Sequence, residues 1–309
     1  MTLVAKPVPE HFLNVVSEHY GLHVTPVEQL SGGEESDVYR VFNSNGVFVL
    51  RIGPAWRSVA ELVWSYSRAY EASQQIPEVT SPLLSRNGMP VVEAENRPLS
   101  LFPFVEGMPL DRDDDSQRDQ AAVLLARLHK HFIGSTGHDQ RPPTSTNAPG
   151  VRKPRHDPPE IFDPNLERYL SETRLERHHL RATIHGDFYR GNVLCRDKRI
   201  QGLIDWDDCR IGDLYQDLAW SIWEFAKDAA TGDRLDECRA MRFVNVYRQS
   251  AGPVSIDGLG FVVPLIRKHL RYEIRRDVAA RENGEYMDEE YLAGQIRAFQ
   301  SLKDHQLSN

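Results

Sequence analysis

Cysteine is scarce: Cys195, Cys209 and Cys238 are the only three in 309 residues. That is too few for a disulfide framework and points to a reducing compartment, the cytoplasm. No run reaches the ~20 consecutive apolar residues that a membrane span needs. The opening Met1-Thr2-Leu3-Val4-Ala5-Lys6-Pro7 lacks the long apolar core of a signal peptide. Neither secretion nor a membrane partner is expected. A basic surplus is missing as well. Lys plus Arg total 37 against 45 Asp plus Glu, a net charge of −8, whereas a protein dedicated to nucleic acid carries excess positive charge to neutralise phosphates. Internal repeats are absent too. What remains is the composition of an ordered globular chain, 40% hydrophobic and 27% charged, long enough for one large domain or two lobes.

The N-terminal third reads as mostly strand. Residues 24–30 form one β-rich run before Ser31-Gly32-Gly33. Residues 38–42 and 47–52 flank the turn signal Asn43-Ser44-Asn45-Gly46 and predict a hairpin. Val59, Leu62, Val63, Tyr66, Ala69 and Tyr70 then recur at helical spacing. Two short strands follow at 90–93 and 99–104. From Gln117 the pattern turns helical, with Ala121, Leu124, Leu125 and Leu128 on one face and Gly134 as a stop. Residues 138–164 are rich in proline, a long connection that is either functional or mobile. The rest reads as helical except for a β-rich stretch at 182–205.

The densest chemistry lies in Ile184-His185-Gly186-Asp187-Phe188-Tyr189-Arg190-Gly191-Asn192-Val193-Leu194-Cys195 and Gly202-Leu203-Ile204-Asp205-Trp206-Asp207-Asp208. Residues 193–195 and 202–204 are apolar runs around a charged turn at 196–199. Pairing Val193 with Ile204 would bring Asn192 beside Asp205, because opposed residues have Cβ atoms ~5 Å apart. An amide oxygen and a carboxylate are hard ligands that suit Mg²⁺, which completes its shell with water and phosphate. Asp187, on a glycine-containing loop, would be a separate carboxylate able to accept a proton. His185 reads as a buried residue that shapes the loop. A metallohydrolase built on His185, Asp187, Asp205 and Asp208 is a competing reading, but it leaves Asn192 without a role.

The pattern His185-Gly186-Asp187, Asn192, Ile204-Asp205-Trp206-Asp207 and Gly212-Asp213 with Asp217-Leu218-Ala219 resembles the aminoglycoside phosphotransferase and choline kinase superfamily. Type II homoserine kinases and bacterial stress-response kinases share it. The resemblance covers residues 24–225. It implies a bilobal, protein-kinase-like α+β fold: a small antiparallel β-sheet lobe (1–103) that binds nucleotide, and a larger, mainly helical lobe (104–309) with catalytic and acceptor functions. By position, Asp187 matches the catalytic base, Asn192 and Asp205 the magnesium ligands, and Asp217 a structural carboxylate; Asp207 stands where relatives often carry an acid. Gly32-Gly33 and Ser36 resemble the phosphate-covering turn. Arg51 stands where protein kinases carry a phosphate-pairing lysine, with Glu61 as its expected partner. Residues 101–107, with Phe102 and Phe104, resemble the hinge that binds adenine.

The implied activity is Mg²⁺-dependent transfer of the γ-phosphoryl of ATP to a hydroxyl of a small molecule, such as an amino alcohol, aminoglycoside, sugar or homoserine-like compound. A Ser/Thr protein kinase of the stress-response type and a nucleotide-binding pseudokinase are the alternatives. For the acceptor, the Asp288-Glu289-Glu290 run could meet an amino group, Arg271, Arg275, Arg276 and Arg281 a carboxylate, and Trp206, Trp220 and Trp223 a cation. Solvated helix faces and core packing account for the same residues.

Overall fold

The computed structural model describes residues 7–30, 36–134, 141–142, 154–172, 180–228, 230–256, 258–285 and 287–303. It divides into two units, Met1–Gly107 with Gln140–Ala148 and Gln201–Asp208, and Met108–Asp139 with Pro149–Ile200 and Cys209–Asn309.

In the first unit, strands β1 (Thr25–Gln29), β2 (Asp37–Asn43), β3 (Gly46–Ile52), β4 (Val92–Ala94) and β5 (Arg97–Pro103) form an antiparallel sheet in the order β1-β2-β3-β5-β4. The Ser44-Asn45 turn joins β2 to β3 and sets Val41 opposite Phe48 and Val38 opposite Arg51. Alternation then sends Tyr39, Val41, Leu50, Ile52, Leu99 and Leu101 into the core. That core is closed by Phe12 and Val16 of helix α1 (Glu10–Tyr20). The strand-dominated expectation misses α1, whose fully buried face is only these two residues. Gly21, at φ 71°, ends the helix by donating its N–H to Ser17 O. Helix α2 (Val59–Ser73) is capped by Ser58 and buries Leu62, Tyr66, Ala69 and Ala72, as its spacing predicts. Residues 201–208 are tied in by Thr80 N–H to Leu203 O and Leu203 N–H to Glu78 O.

The second unit begins with β6 (Met108–Pro109), which pairs with β8 (Val193–Arg196). Helix α3 (Asp115–Gly134) follows, then α4 (Pro164–Glu172), and β7 (Arg181–Ile184) paired antiparallel with β10 (Arg210–Asp213). Strand β10 was not expected. Strand β9 (Arg199–Leu203) continues the β6-β8 sheet and passes from the second unit into the first after Ile200. Its hairpin turn is the pair Asp197-Lys198, both left-handed at φ 51° and 62°, the geometry of a two-residue type I′ connection. Helices α5 (Leu214–Ala226), α6 (Glu237–Gln249), α7 (Leu259–Glu282) and α8 (Glu289–Ser301) complete the unit. Helix α5 packs on α6 and α7, α3 on α6, and α7 on α8. The expected architecture, an antiparallel sheet followed by a mainly helical portion, is present. No described helix is long and apolar enough to cross a membrane.

Candidate active site

In the first unit the predicted residues gather around Asp207. Arg51 lies one residue from the end of β3, opposite Val38 on one side and Ser100 on the other. Its Nη1 is 3.0 Å from Asp205 Oδ1, and its Nη2 donates to Asp207 Oδ2 at 2.9 Å. The Tyr66 hydroxyl, from α2, donates to Asp207 Oδ1 at 2.7 Å. Its ring meets Phe102 edge-on at 5.2 Å. Arg57 Nη2 stands 4.0 Å from Asp207 Oδ2.

Burial works against the charge on Arg51, and the Asp205 and Asp207 carboxylates more than offset it, so its pKa rises well above the usual value. Burial likewise pushes the Asp207 carboxyl up, opposed by Arg51. Between the two acids the Trp206 ring is buried and its Nε1–H donates to Leu203 O. Trp206 is therefore core, and it anchors the segment from which Asp205 and Asp207 project. Asp205 sits at φ 62°, a left-handed conformation in which short acids are tolerated and which recurs at functional sites.

Glu61, expected beside Arg51, makes its ion pair with Arg141 at 2.6 Å. The Arg141 Nη2 also donates to the backbone O of Asp207 at 2.8 Å. Ser36 is buried just before β2. Gly32 and Gly33 lie outside the described residues. In the stretch expected to be the hinge, the Phe104 N–H is taken by Val47 O at 3.1 Å, and the Arg40 guanidinium lies 4.7 Å above the Phe104 ring.

In the second unit β7 ends at Ile184 and the chain turns through His185-Gly186-Asp187, with Gly186 at φ 84°. Buried His185 accepts the Asp187 N–H at its Nδ1, 3.3 Å away, the loop-shaping part expected of it. Asn192 Nδ2 donates to both the carboxylate Oδ2 and the backbone O of Asp187, each at 2.9 Å. Asp217, on the first turn of α5, accepts the Gly186 N–H at 3.2 Å through Oδ1. Its Oδ2 lies 3.2 Å from His129 Nε2, and His129 Nδ1 is 2.7 Å from the Tyr247 hydroxyl. A buried line from α6 through α3 and α5 thus reaches the residue before Asp187.

Sequence reasoning singled out neither His129, Tyr247 nor Arg141. His129 adjoins Leu128 on the apolar face of α3, a signal that could have drawn notice. Arg141 gives none, standing in a proline-rich stretch 80 residues from Glu61.

The proposed metal ligands fit the donor chemistry of a hard cation. The Asn192 side chain bonds Asp187 through its Nδ2, and Asp205 offers a carboxylate. An amide oxygen and a carboxylate are each, taken singly, a donor type that suits an ion keeping water and phosphate in its shell. Among the described residues no group of three or more His, Cys, Asp and Glu is arranged to hold a metal.

The acceptor candidates resolve mostly into structure. Asp288 caps α8 by accepting the Glu290 and Tyr291 N–H groups. Arg271 pairs with Glu167, Arg275 with Asp157, Arg276 with Glu273 and Asp277, and Arg281 with Glu289. Trp223 is buried, and Trp220 stacks on His269 at 3.8 Å.

Comparison with known proteins gives consistent results. The model of the APH phosphotransferase enzyme family matches residues 26–251. Serine/threonine protein kinase RdoA of Salmonella typhimurium is 24% identical over 234 residues, which cover 70% of this chain and 65% of the relative. A homoserine kinase of Brucella anthropi is 22% identical over 215 residues, covering 66% of this chain and 65% of the relative. The chain therefore spans a little under two thirds of the length of these relatives. Among solved structures, amicoumacin kinase hAmiN aligns with a TM-score of 0.68 at 16% identity over 96% of this chain and 93% of that one. Choline kinase LicA from Streptococcus pneumoniae aligns at 0.63 and 16%, over 96% and 98%. These likenesses show the protein-kinase-like fold.

Proposed function

Because the chain belongs to the APH phosphotransferase enzyme family, we propose that it moves the γ-phosphoryl group of ATP to a hydroxyl of a small molecule. The observation that carries this reading is the setting of Asp187. Its carboxylate and its own carbonyl are both clamped by Asn192, and the preceding amide is fixed by Asp217. The carboxylate is thereby held in a fixed position to meet an acceptor O–H, whose proton it takes as the oxygen attacks phosphorus. Phosphoryl transfer asks little covalent chemistry of a protein, so positioning and charge neutralisation do most of the catalysis. Arg51 supplies a planar fork for phosphate oxygens, held in place by Asp207 and Tyr66. Asn192 and Asp205 would hold Mg²⁺, which when bound neutralises phosphate charge.

The relatives divide over the acceptor, since one bears the name of a protein kinase and another that of a homoserine kinase. Structural likeness to a choline kinase and an aminopropanol kinase favours a small hydroxyl compound. The test is an ADP-release screen against homoserine, choline, aminopropanol, sugars, aminoglycosides and generic protein substrates, with Asp187→Asn as the blank. General-base catalysis contributes ~10²–10⁴-fold, and a loss of that size is expected in Asp187→Asn. Transfer at the parent rate by Asp187→Asn would refute the assignment, and labelling of protein alone would move the acceptor to Ser/Thr side chains.

A further inference from the structure

We infer that Arg141 is a second phosphate-contacting arginine of the nucleotide site, and that Glu61 is the residue that positions it. The inference rests on the ATP-dependent reading and adds to it a residue that the motif pattern does not contain. Glu61 occupies the helix after β3, the place from which an acid would orient the β3 cation. In this chain Glu61 forms an ion pair with Arg141. Arg51 is oriented by Asp207 and, through it, by Tyr66. Two guanidiniums are thus fixed by two separate acids, and both converge on Asp207. Arg51 reaches its carboxylate and Arg141 its backbone oxygen.

One further observation points to an anion. The Nε–H groups of Arg51 and Arg141 are both buried without a hydrogen-bond partner among the described residues. Buried N–H donors are rarely left so unless a ligand completes them. The charges also balance without a ligand: Arg51, Arg57 and Arg141 face Glu61, Asp205 and Asp207. If a divalent cation takes the Asp205 carboxylate, as in the proposed reading, the three arginines are left in surplus. A polyphosphate chain answers that surplus, and an arginine fork matches its oxygens. A purely structural role for Arg141 would need the ion pair but not the unfilled donors.

The experiment measures binding to the full chain by titration calorimetry, with AMP-PNP plus Mg²⁺ and with adenosine as separate probes, alongside thermal unfolding. Arg141→Gln is expected to weaken AMP-PNP about tenfold, the loss of one charge-assisted contact, and to leave adenosine unchanged. Arg141→Lys should recover part of the affinity, and Glu61→Gln should weaken AMP-PNP by a smaller factor. The exchanged pair Glu61→Arg with Arg141→Glu should regain the parent unfolding midpoint while AMP-PNP stays weak. The inference is overturned if Arg141→Gln binds AMP-PNP as the parent does, if it loses both probes equally, or if the exchanged pair restores AMP-PNP affinity. A parent protein that binds neither probe would overturn the ATP reading itself. Parent binding with an indifferent Arg141 overturns this step alone.

Discussion

The line Tyr247–His129–Asp217–Gly186 is open to a quantitative test, because its three side chains are almost wholly buried and its contacts run in series. The Tyr247 hydroxyl touches His129 Nδ1, His129 Nε2–H donates to Asp217, and Asp217 accepts the Gly186 N–H. Burial by itself would push the Asp217 carboxyl up. The His129 hydrogen bond, with His185 and then Arg210 adding to it, outweighs it and holds the group below the ordinary carboxylate range. A buried anion that loses its partner is destabilised by about 3–5 kcal/mol, which is the expected effect of His129→Phe. Tyr247→Phe removes the contact with Nδ1 and the bond accepted from the Val254 N–H at 3.4 Å, for about 1–3 kcal/mol. Asp217→Asn keeps an oxygen for Gly186 but gives up the charge and falls between the two.

The assay is urea unfolding of the single and double variants. Residues acting through one network couple by about 0.5–3 kcal/mol, whereas independent ones add to within a few tenths. The pair His129→Phe and Asp217→Asn is expected at the upper part of that range. The same line fixes the amide before Asp187, so Asp217→Asn should also lower kcat about tenfold, equivalent to about 1.4 kcal/mol, with KM for ATP little changed. The unfolded carboxyl takes a proton near pH 3.9 while the folded one stays ionised to lower pH. The Asp217 contribution is therefore complete at neutral pH and is lost as pH falls below about 4. Additive free energies in the double variant, or an unaltered kcat in Asp217→Asn, would refute the reasoning.

Other outcomes follow from the second unit. His269, stacked on Trp220, is held by burial, with help from Arg210 and Arg276, to a pKa of about 3. The unfolded imidazole takes up a proton near pH 6.5 and the folded one does not, so stability should fall as pH drops from 6.5 toward 3, and unfolding midpoints of His269→Gln should show about one proton less dependence. Arg267 forms a buried ion pair with Asp163 at 2.8 Å; Arg267→Ala should cost about 3–5 kcal/mol by denaturant unfolding, and Arg267→Met with Asp163→Asn should recover most of it. Lys198, left-handed at φ 62° in the β8–β9 turn, should gain roughly 1 kcal/mol on replacement by glycine, measured as a higher unfolding midpoint.

The parts of the molecule that were legible in the sequence are those whose cause is local. The β2–β3 hairpin follows from Asn43-Ser44-Asn45-Gly46 between two alternating runs, and α2 from its apolar spacing. The loop before Asp187 follows from a glycine that permits φ 84°. Register was less legible. The apolar runs at 193–195 and 202–204 placed a four-residue turn at 196–199, but β9 begins at Arg199, because the two left-handed residues Asp197 and Lys198 close the hairpin by themselves. Turn geometry, not the count of apolar residues, sets which residues are opposed.

Charged residues were the least legible, because nothing in their spacing says whether water or an acid will meet them. Arg271, Arg275, Arg276 and Arg281 look alike in sequence to an acceptor site and to a solvated helix face, and each meets a carboxylate of its own unit. Arg141 is the opposite case. It stands in a stretch that reads as loop, yet it shares Asp207 with Arg51 and is held by an acid from α2. A buried guanidinium is stable only where several distant groups agree to surround it, and that agreement belongs to the folded chain.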